Sequence, residues 1–242
     1  MARFWKHVNQ VLEEADLLIE VLDARMVEET RNKEIEEKVK KSGKVLLYVF
    51  NKCDLVDIKE LDVWKDTLKP SVFISSKDKL GTTILKKKIL ELNKGEKVVV
   101  GVLGYPNVGK SSLINALSGR GSARTSSESG YTKGRQTIRV SPKISLLDTP
   151  GVFPGREKDE LKHGKTGALS YARIKDPEWV VLNLIEEKEG EIEKYYGVSG
   201  EDSEEILENI AFKLNRLRTG GKPDLDAAAR KVLKDWQTGK IK

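Results

Sequence analysis

The sequence predicts an α/β protein, a three-layer domain around a mostly parallel sheet, followed by a small all-helical domain. Three observations carry this. Short β-rich apolar runs alternate with helix-like stretches through the first two thirds of the chain. One run, "VVVGVL", leads straight into "GYPNVGKS" and then into the helical pattern "SLINAL". From about residue 161 the strand patterns stop and helical stripes replace them.

Strands are expected at Leu17–Leu22, Val45–Phe50, Val72–Ile74, Val98–Leu103 and Ile144–Leu147. Several are unbroken apolar runs, as strands covered on both faces of a parallel sheet require. Helices are expected at Arg3–Glu14, Asn32–Lys41, Lys59–Leu68, Thr83–Leu92 and Ser111–Leu117. Beyond residue 161, Asp176 and Pro177 form a cap and first-turn pair for a helix through Glu187. Ser203 is the expected cap of a second helix, whose inward stripe is Ile206, Leu207, Ile210, Ala211, Leu214 and Leu217. A third starts at Asp224 or Asp226 and turns Ala228, Val232 and Trp236 inward. The segment Gly119–Gly134, "GRGSARTSSESGYTKG", is too rich in Gly and Ser to pack as a regular element. The expected domains are residues 1–160 and 161–242.

Composition narrows the class. Charged residues make up 34% of 242, and no apolar run reaches the roughly 18 residues of a membrane span. Polar residues break every apolar stretch of the N-terminus, which lacks a signal-peptide core, so a cytoplasmic, non-membrane protein is expected. Cys53 is the single cysteine, excluding an internal disulfide and any zinc site of several thiolates; His7 and His163 add no metal pattern. Residues 211–242 hold nine Lys or Arg against three Asp, which equals the whole formal net charge of +6. A basic end on a neutral body points to a polyanion partner or to a solvated helix face.

"GYPNVGKS", residues 104–111, follows GxxxxGKS in the strand-to-helix context that a phosphate loop requires. Glycines let successive N–H groups turn inward around an anion, and the following helix directs its positive end at the same point. Lys110 would reach the β and γ phosphates and Ser111 would ligate Mg²⁺, with Asn107, Val108, Gly109 and Ser112 completing the nucleotide-binding loop. In "LLDTPG", Asp148 would hold Mg²⁺ from a strand end and the Gly151 N–H would meet the γ phosphate. Thr132 is the preferred second hydroxyl ligand over the competing Thr137, because Thr137 begins the strand-like "TIRV".

Upstream lies "KVLLYVFNKCDLV", an apolar run that delivers Asn51, Lys52 and Asp54 to its C-terminal tip. Asp54 can accept from both N1–H and the exocyclic amine of guanine, whereas adenine has no matching donor pair. Asn51 would brace the loops, and the Lys52 stem would lie over the base plane. In "VFISSKD", Ser75, Ser76 and Lys77 follow the next strand, where a backbone N–H can meet the guanine O6. Cys53, between two base-contacting candidates, reads as a small apolar spacer.

These elements occur in the order base loops, phosphate loop, Thr132 segment, DTPG. That order resembles the circularly permuted P-loop GTPases, above all the YlqF/YawG group of ribosome-assembly GTPases. The resemblance covers roughly residues 15–185, including "LDARM" at 22–26 and "KTGALSYARIKDPE" at 165–178, and is looser over 186–242. In "LDARM" the chain departs from the usual DAR-x-Pro pattern, because Val27 stands after Met26. The resemblance implies GTP and GDP as ligands, Mg²⁺ as cofactor, and slow hydrolysis that a partner accelerates. Val152 stands where many GTPases carry a water-orienting Gln. Asn107 resembles the K⁺ ligand of potassium-activated members, the alternative being a loop Asn chosen for its turn conformation. The implied partner is the large ribosomal subunit or its rRNA, docked through the basic C-terminal domain of a monomer. Regulation of a protein partner, or a GTP-binding scaffold with negligible hydrolysis, are the alternatives.

Overall fold

The computed structural model describes residues 2–119, 136–149, 151 and 159–241. The first elements are α1 (Ala2–Glu14), β1 (Leu17–Asp23), α2 (Val27–Thr30), α3 (Lys33–Lys41) and β2 (Val45–Asn51). A 3₁₀ turn (Cys53–Leu55) precedes α4 (Ile58–Thr67), β3 (Ser71–Ile74), α5 (Thr82–Leu92) and β4 (Val98–Gly104). Then come α6 (Lys110–Ser118), β5 (Gln136–Arg139) and β6 (Ile144–Asp148). The chain divides into two compact units, Met1–Lys158 and Asp159–Lys242.

In the first unit the six strands form one sheet in the order β3-β2-β1-β4-β6-β5. The β1–β2, β1–β4, β2–β3 and β4–β6 pairs are parallel, and only β5 on β6 runs antiparallel. All seven residues of β1 are buried, Glu20 and Asp23 among them, since the strand has neighbours on both edges. The antiparallel β5 is the strand-like "TIRV"; the Ser141 hydroxyl accepts from Lys143 and Ile144 amides in the turn that joins it to β6.

Chain order reverses between the adjacent strands β1 and β4. One path of strands runs outward from β1 through β2 to β3, and the other runs from β4 through β6. Loops leaving β1 and β4 therefore splay to opposite sides and open a crevice at the strand C-termini, the place where α/β sheets bind ligands. On one face of the sheet Val8, Val11, Ala15, Leu18, Ile35, Val39, Leu103 and Leu147 pack α1 and α3 against the strands. Lys44 donates to the carbonyls of Leu12, Glu13 and Ala15, which leaves the α1 C-terminus tied to the start of β2.

The second unit consists of α7 (Glu160–Lys165), α8 (Pro177–Glu187), α9 (Glu191–Tyr196), α10 (Ser203–Lys213) and α11 (Leu225–Gln237). Val180, Val181, Leu184, Ile206, Leu207, Ile210, Ala228, Val232 and Trp236 are all buried. The cap of α10 is Asp202, not Ser203: its carboxylate accepts from the Glu205 amide at 2.8 Å while the Ser203 hydroxyl is 3.2 Å from Glu186. The α10 stripe is shorter than expected as well. The helix ends at Lys213, Leu214 is only half buried, and Leu217 is 41% exposed. Asp224 caps α11 through the Ala227 amide. That helix holds the preceding segment by its backbone: the Trp236 indole donates to Lys165 O at 2.8 Å, Gln237 to Gly164 O and Leu169 O, and Arg230 to Tyr171 O. No helix among the described residues is long and apolar enough to cross a membrane.

Candidate functional site

Every sequence-derived site residue that the structure describes stands on the strand C-terminal edge of the first unit. Asn51 ends β2, Ser75 follows β3, the 104–111 loop follows β4, and Asp148 ends β6. Parallel pairing is the cause, since it brings the four chain exits to one side of the sheet.

The decisive contact joins parts of the chain 57 residues apart. The Asn51 amide donates to Val108 O in the phosphate loop at 2.9 Å. Its Oδ1 accepts from the Ser76 N–H at 3.1 Å and from the Ser76 hydroxyl at 2.7 Å. One buried side chain thus ties the loop after β2, the 104–111 loop and the loop after β3 together. The same contact explains a glycine. Gly109 adopts φ +97°, and a Cβ there would lie 2.2 Å from Asn51 Nδ2, so no other residue fits without displacing the brace.

Phosphate-loop geometry follows from the strand-to-helix turn. Lys110 is the first residue of α6 and is buried; its ammonium donates to Gly104 O at 3.0 Å and Tyr105 O at 2.7 Å. Burial pulls the Lys110 ammonium down to about 8, against the opposing charge of Asp148. Burial raises the Asp148 carboxyl, while Lys110 and the Thr149 amide pull the other way. Asp148 Oδ1 is buried with no hydrogen-bond partner among the described residues, and an unpaired buried carboxylate oxygen costs free energy unless a cation or donor meets it. Ser111 lies half-buried in the first turn of α6 and Ser112 is exposed there. Val108 is buried, and Asn107 takes φ 61°, a left-handed conformation that Asn tolerates. Gly151 touches the loop from the other side, where a Cβ would meet Pro106 Cα at 2.7 Å. Thr132 and Val152 lie outside the described residues; Thr137 is exposed on β5.

On the base side, Asp54 sits in the 3₁₀ turn, half-buried, and its carboxylate accepts no hydrogen bond from the described residues. Lys52 precedes it at φ 64° and donates to Asp23 Oδ2 at 2.6 Å. Ser75 is buried, its hydroxyl 3.0 Å from Asp78 Oδ2 and accepting from the Asp78 amide at 3.2 Å. The Ser76 N–H serves Asn51 in this loop. Sequence reasoning missed Asp23 and Asp78 as supports. The "LDARM" stretch was the signal for the first, but nothing in its spacing named Lys52 as the partner.

The family model described as RsgA GTPase matches residues 17–154, more than half of the chain and all of the site just described. The chain belongs to the circularly permuted GTPases. A second model, described as 50S ribosome-binding GTPase, matches residues 99–215, starting at β4 and its phosphate loop. An uncharacterised GTP-binding protein of Methanocaldococcus jannaschii is 42% identical, the match covering 98% of this chain and 65% of that protein. Nucleolar GTP-binding protein 2 of Saccharomyces cerevisiae is 34% identical over 99% of this chain and 52% of its own length. This permuted GTPase thus spans between about half and two thirds of those relatives. Among solved structures, GNP-bound YlqF from T. maritima aligns with a TM-score of 0.68 and 25% identity, covering 98% of this chain and 94% of that one. A GDP-bound YlqF aligns at 0.69 and shares the fold. The family is that of YlqF, and its permutation explains why the base loops come first. The sheet is indifferent to where the chain is cut as long as the loops leave its C-terminal edge.

Proposed function

We propose that this permuted GTPase binds GTP and GDP with guanine specificity, hydrolyses GTP, and acts as a switch in assembly of the large ribosomal subunit. The carrying observation is the Asn51 bridge, which ties the loop after β2 to the 104–111 loop and to the loop after β3. Asp54 would accept from N1–H and the exocyclic amine, and a backbone N–H of the Ser75–Lys77 loop would meet O6. Lys110 would leave the Gly104 and Tyr105 carbonyls for the β and γ phosphates, a better partner for a desolvated ammonium. Ser111 and the orphaned Asp148 oxygen fit a divalent cation, with Thr132 as the third protein ligand. Mg²⁺ held there would neutralise charge on the phosphates. Asn107 is the candidate contact for K⁺.

Nucleic-acid docking is assigned to the basic C-terminal end. Between α10 and α11 the chain makes a tight excursion, closed by Arg218 N–H to Lys222 O and Asp224 N–H to Arg216 O. Residues 215–222 are all exposed there; Arg216 and Lys222 would meet phosphates directly, and Arg218 would do so by giving up its 3.2 Å contact with Asp224. The family description 50S ribosome-binding GTPase and the nucleolar name of the yeast relative support the assembly role.

Two measurements test the proposal. Calorimetry should show GDP bound at least a thousandfold more tightly than ADP. Sedimentation with large subunits should depend on whether GTP or GDP is loaded, and single-turnover cleavage with subunits should exceed the rate without them. Equal affinity for the two nucleotides would end the guanine assignment, and nucleotide-independent sedimentation would end the switch.

A further inference from the structure

We infer that Asp23 and Arg25 form a positioning clamp for Lys52 and thereby set how long a guanine nucleotide stays bound; the inference rests on the guanine-binding reading above. Strand register makes the clamp available, because Asp23 pairs with Asn51 across the parallel β1–β2 ladder. Asp23 is thus one strand away from the base loop, at the same depth. The Ala24 N–H to Asn51 O bond, 2.8 Å, extends the ladder past the strand ends and holds the two loops together.

The carboxylate is fully committed. Oδ1 accepts from the Arg25 N–H and Nε, both at 3.1 Å, and Oδ2 from the second guanidinium nitrogen at 2.9 Å and from Lys52 Nζ at 2.6 Å. The Asp23 N–H donates to the Thr30 hydroxyl at 3.1 Å, and that hydroxyl donates to Met26 O at 2.7 Å. Both side chains of the Asp23–Arg25 pair are 3% exposed or less, whereas Lys52 reaches the surface at 21%. Burying a charged pair costs desolvation, and a packed apolar pair would brace a strand end at least as well. What a bidentate guanidinium adds is a fixed carboxylate, and a fixed carboxylate fixes the one partly exposed group that it holds. Lys52 also sits in the left-handed region, a conformation that a lysine does not choose unaided. Its backbone and ammonium are therefore pinned at opposite ends of the stem, leaving the methylenes no freedom to swing off a base plane.

Lys52 acts on the face of the base and Asp54 on its edge. Loosening the clamp should weaken binding without changing which purine is preferred. The test is a double-mutant cycle on the full chain, with release of a fluorescent GDP analogue as the rate, the GDP to IDP affinity ratio as the specificity readout, and unfolding temperature as the control for folding. Asp23→Asn should speed release by about tenfold, Lys52→Met by a similar factor, and the double variant by no more than about twofold beyond Lys52→Met alone. The GDP to IDP ratio should stay within about twofold of wild type throughout, because Asp54 is untouched. A full Asp23→Asn effect in the Lys52→Met background, unchanged release in the folded single variant, or a collapsed ratio would each overturn the clamp. If Asp23→Asn does not fold, Arg25→Lys takes its place: it retains the cation but gives up the bidentate lock, and its acceleration should again vanish with Lys52→Met. Wild-type protein that binds GDP no better than ADP is a separate result, one that removes the guanine reading itself.

Discussion

Replacing Asn51 by Ala removes three hydrogen bonds at once: 2.9 Å to Val108 O, 3.1 Å from the Ser76 amide and 2.7 Å from the Ser76 hydroxyl. Asn51 is buried, so water replaces its partners poorly. At about 1 kcal/mol net per bond, the loss is about 3 kcal/mol. Part falls on folding stability and part on the alignment of the two loops. If all of it fell on binding, GDP affinity would drop by about 150-fold. Asn51→Asp separates geometry from bulk. It keeps the size and one acceptor for Ser76 but turns an oxygen toward the Val108 carbonyl, so two acceptors face each other and the loss should exceed that of Ala. The assay is GDP titration calorimetry paired with melting curves taken with and without GDP. Ala should lower both affinity and melting temperature, and Asp should lower them further. If the Ala variant stays within about twofold of wild-type affinity at an unchanged melting temperature, the bridge does not align the site and the argument built on it fails.

Gly109→Ala should abolish measurable GDP binding in a protein that still folds, since its Cβ would stand 2.2 Å from Asn51 Nδ2 at φ +97°; equilibrium binding and circular dichroism together check this. Glu20 is buried in β1 with Oε1 accepting from the Asn32 amide at 2.8 Å and Oε2 without a partner among the described residues, and burial pushes its carboxyl up to about 8. The folded state therefore keeps a proton that the unfolded chain releases above about 4.5, so the group costs nothing at pH 4 and progressively more stability between pH 4.5 and 8. Glu20→Gln should stabilise the protein by up to about 3 kcal/mol at pH 7 and by almost nothing at pH 4, and denaturant melts giving equal gains at both would refute the assignment. Replacing Arg216, Arg218 and Lys222 together by Ala should weaken binding to ribosomal RNA and reduce the slope of log K against log salt by about 2 to 3, with GDP affinity unchanged. An unaltered slope would place the RNA contacts elsewhere.

Legibility followed sequence distance. The parallel strands, the helices α3 to α6 and the capped helices α8 and α11 rest on patterns within a dozen residues, and apolar runs, Pro at a first turn and Asp at a cap act locally. The short helices α2, α7 and α9 carry too few residues to show a stripe, and their places are decided by packing. Leu214 and Leu217 continue the α10 period on paper, but Lys213 ends the helix and the chain turns away before they can be buried.

For the site the division is similar. The residue types proposed for the phosphate loop, DTPG and the base loop stand in local motifs, each suited to an anion, a cation or a purine edge. Which side chains hold those motifs in place could not be read from the chain alone. Asn51 meets Val108 across 57 residues, Asp23 meets Lys52 across 29, and Gly151 meets Pro106 across a segment whose length leaves the contact open. Strand order and register set those meetings: β1 lies between β2 and β4, so Asp23 falls beside Asn51 and both fall at the crevice. A sequence states what each loop can bind, and only the paired sheet decides which loops share a ligand.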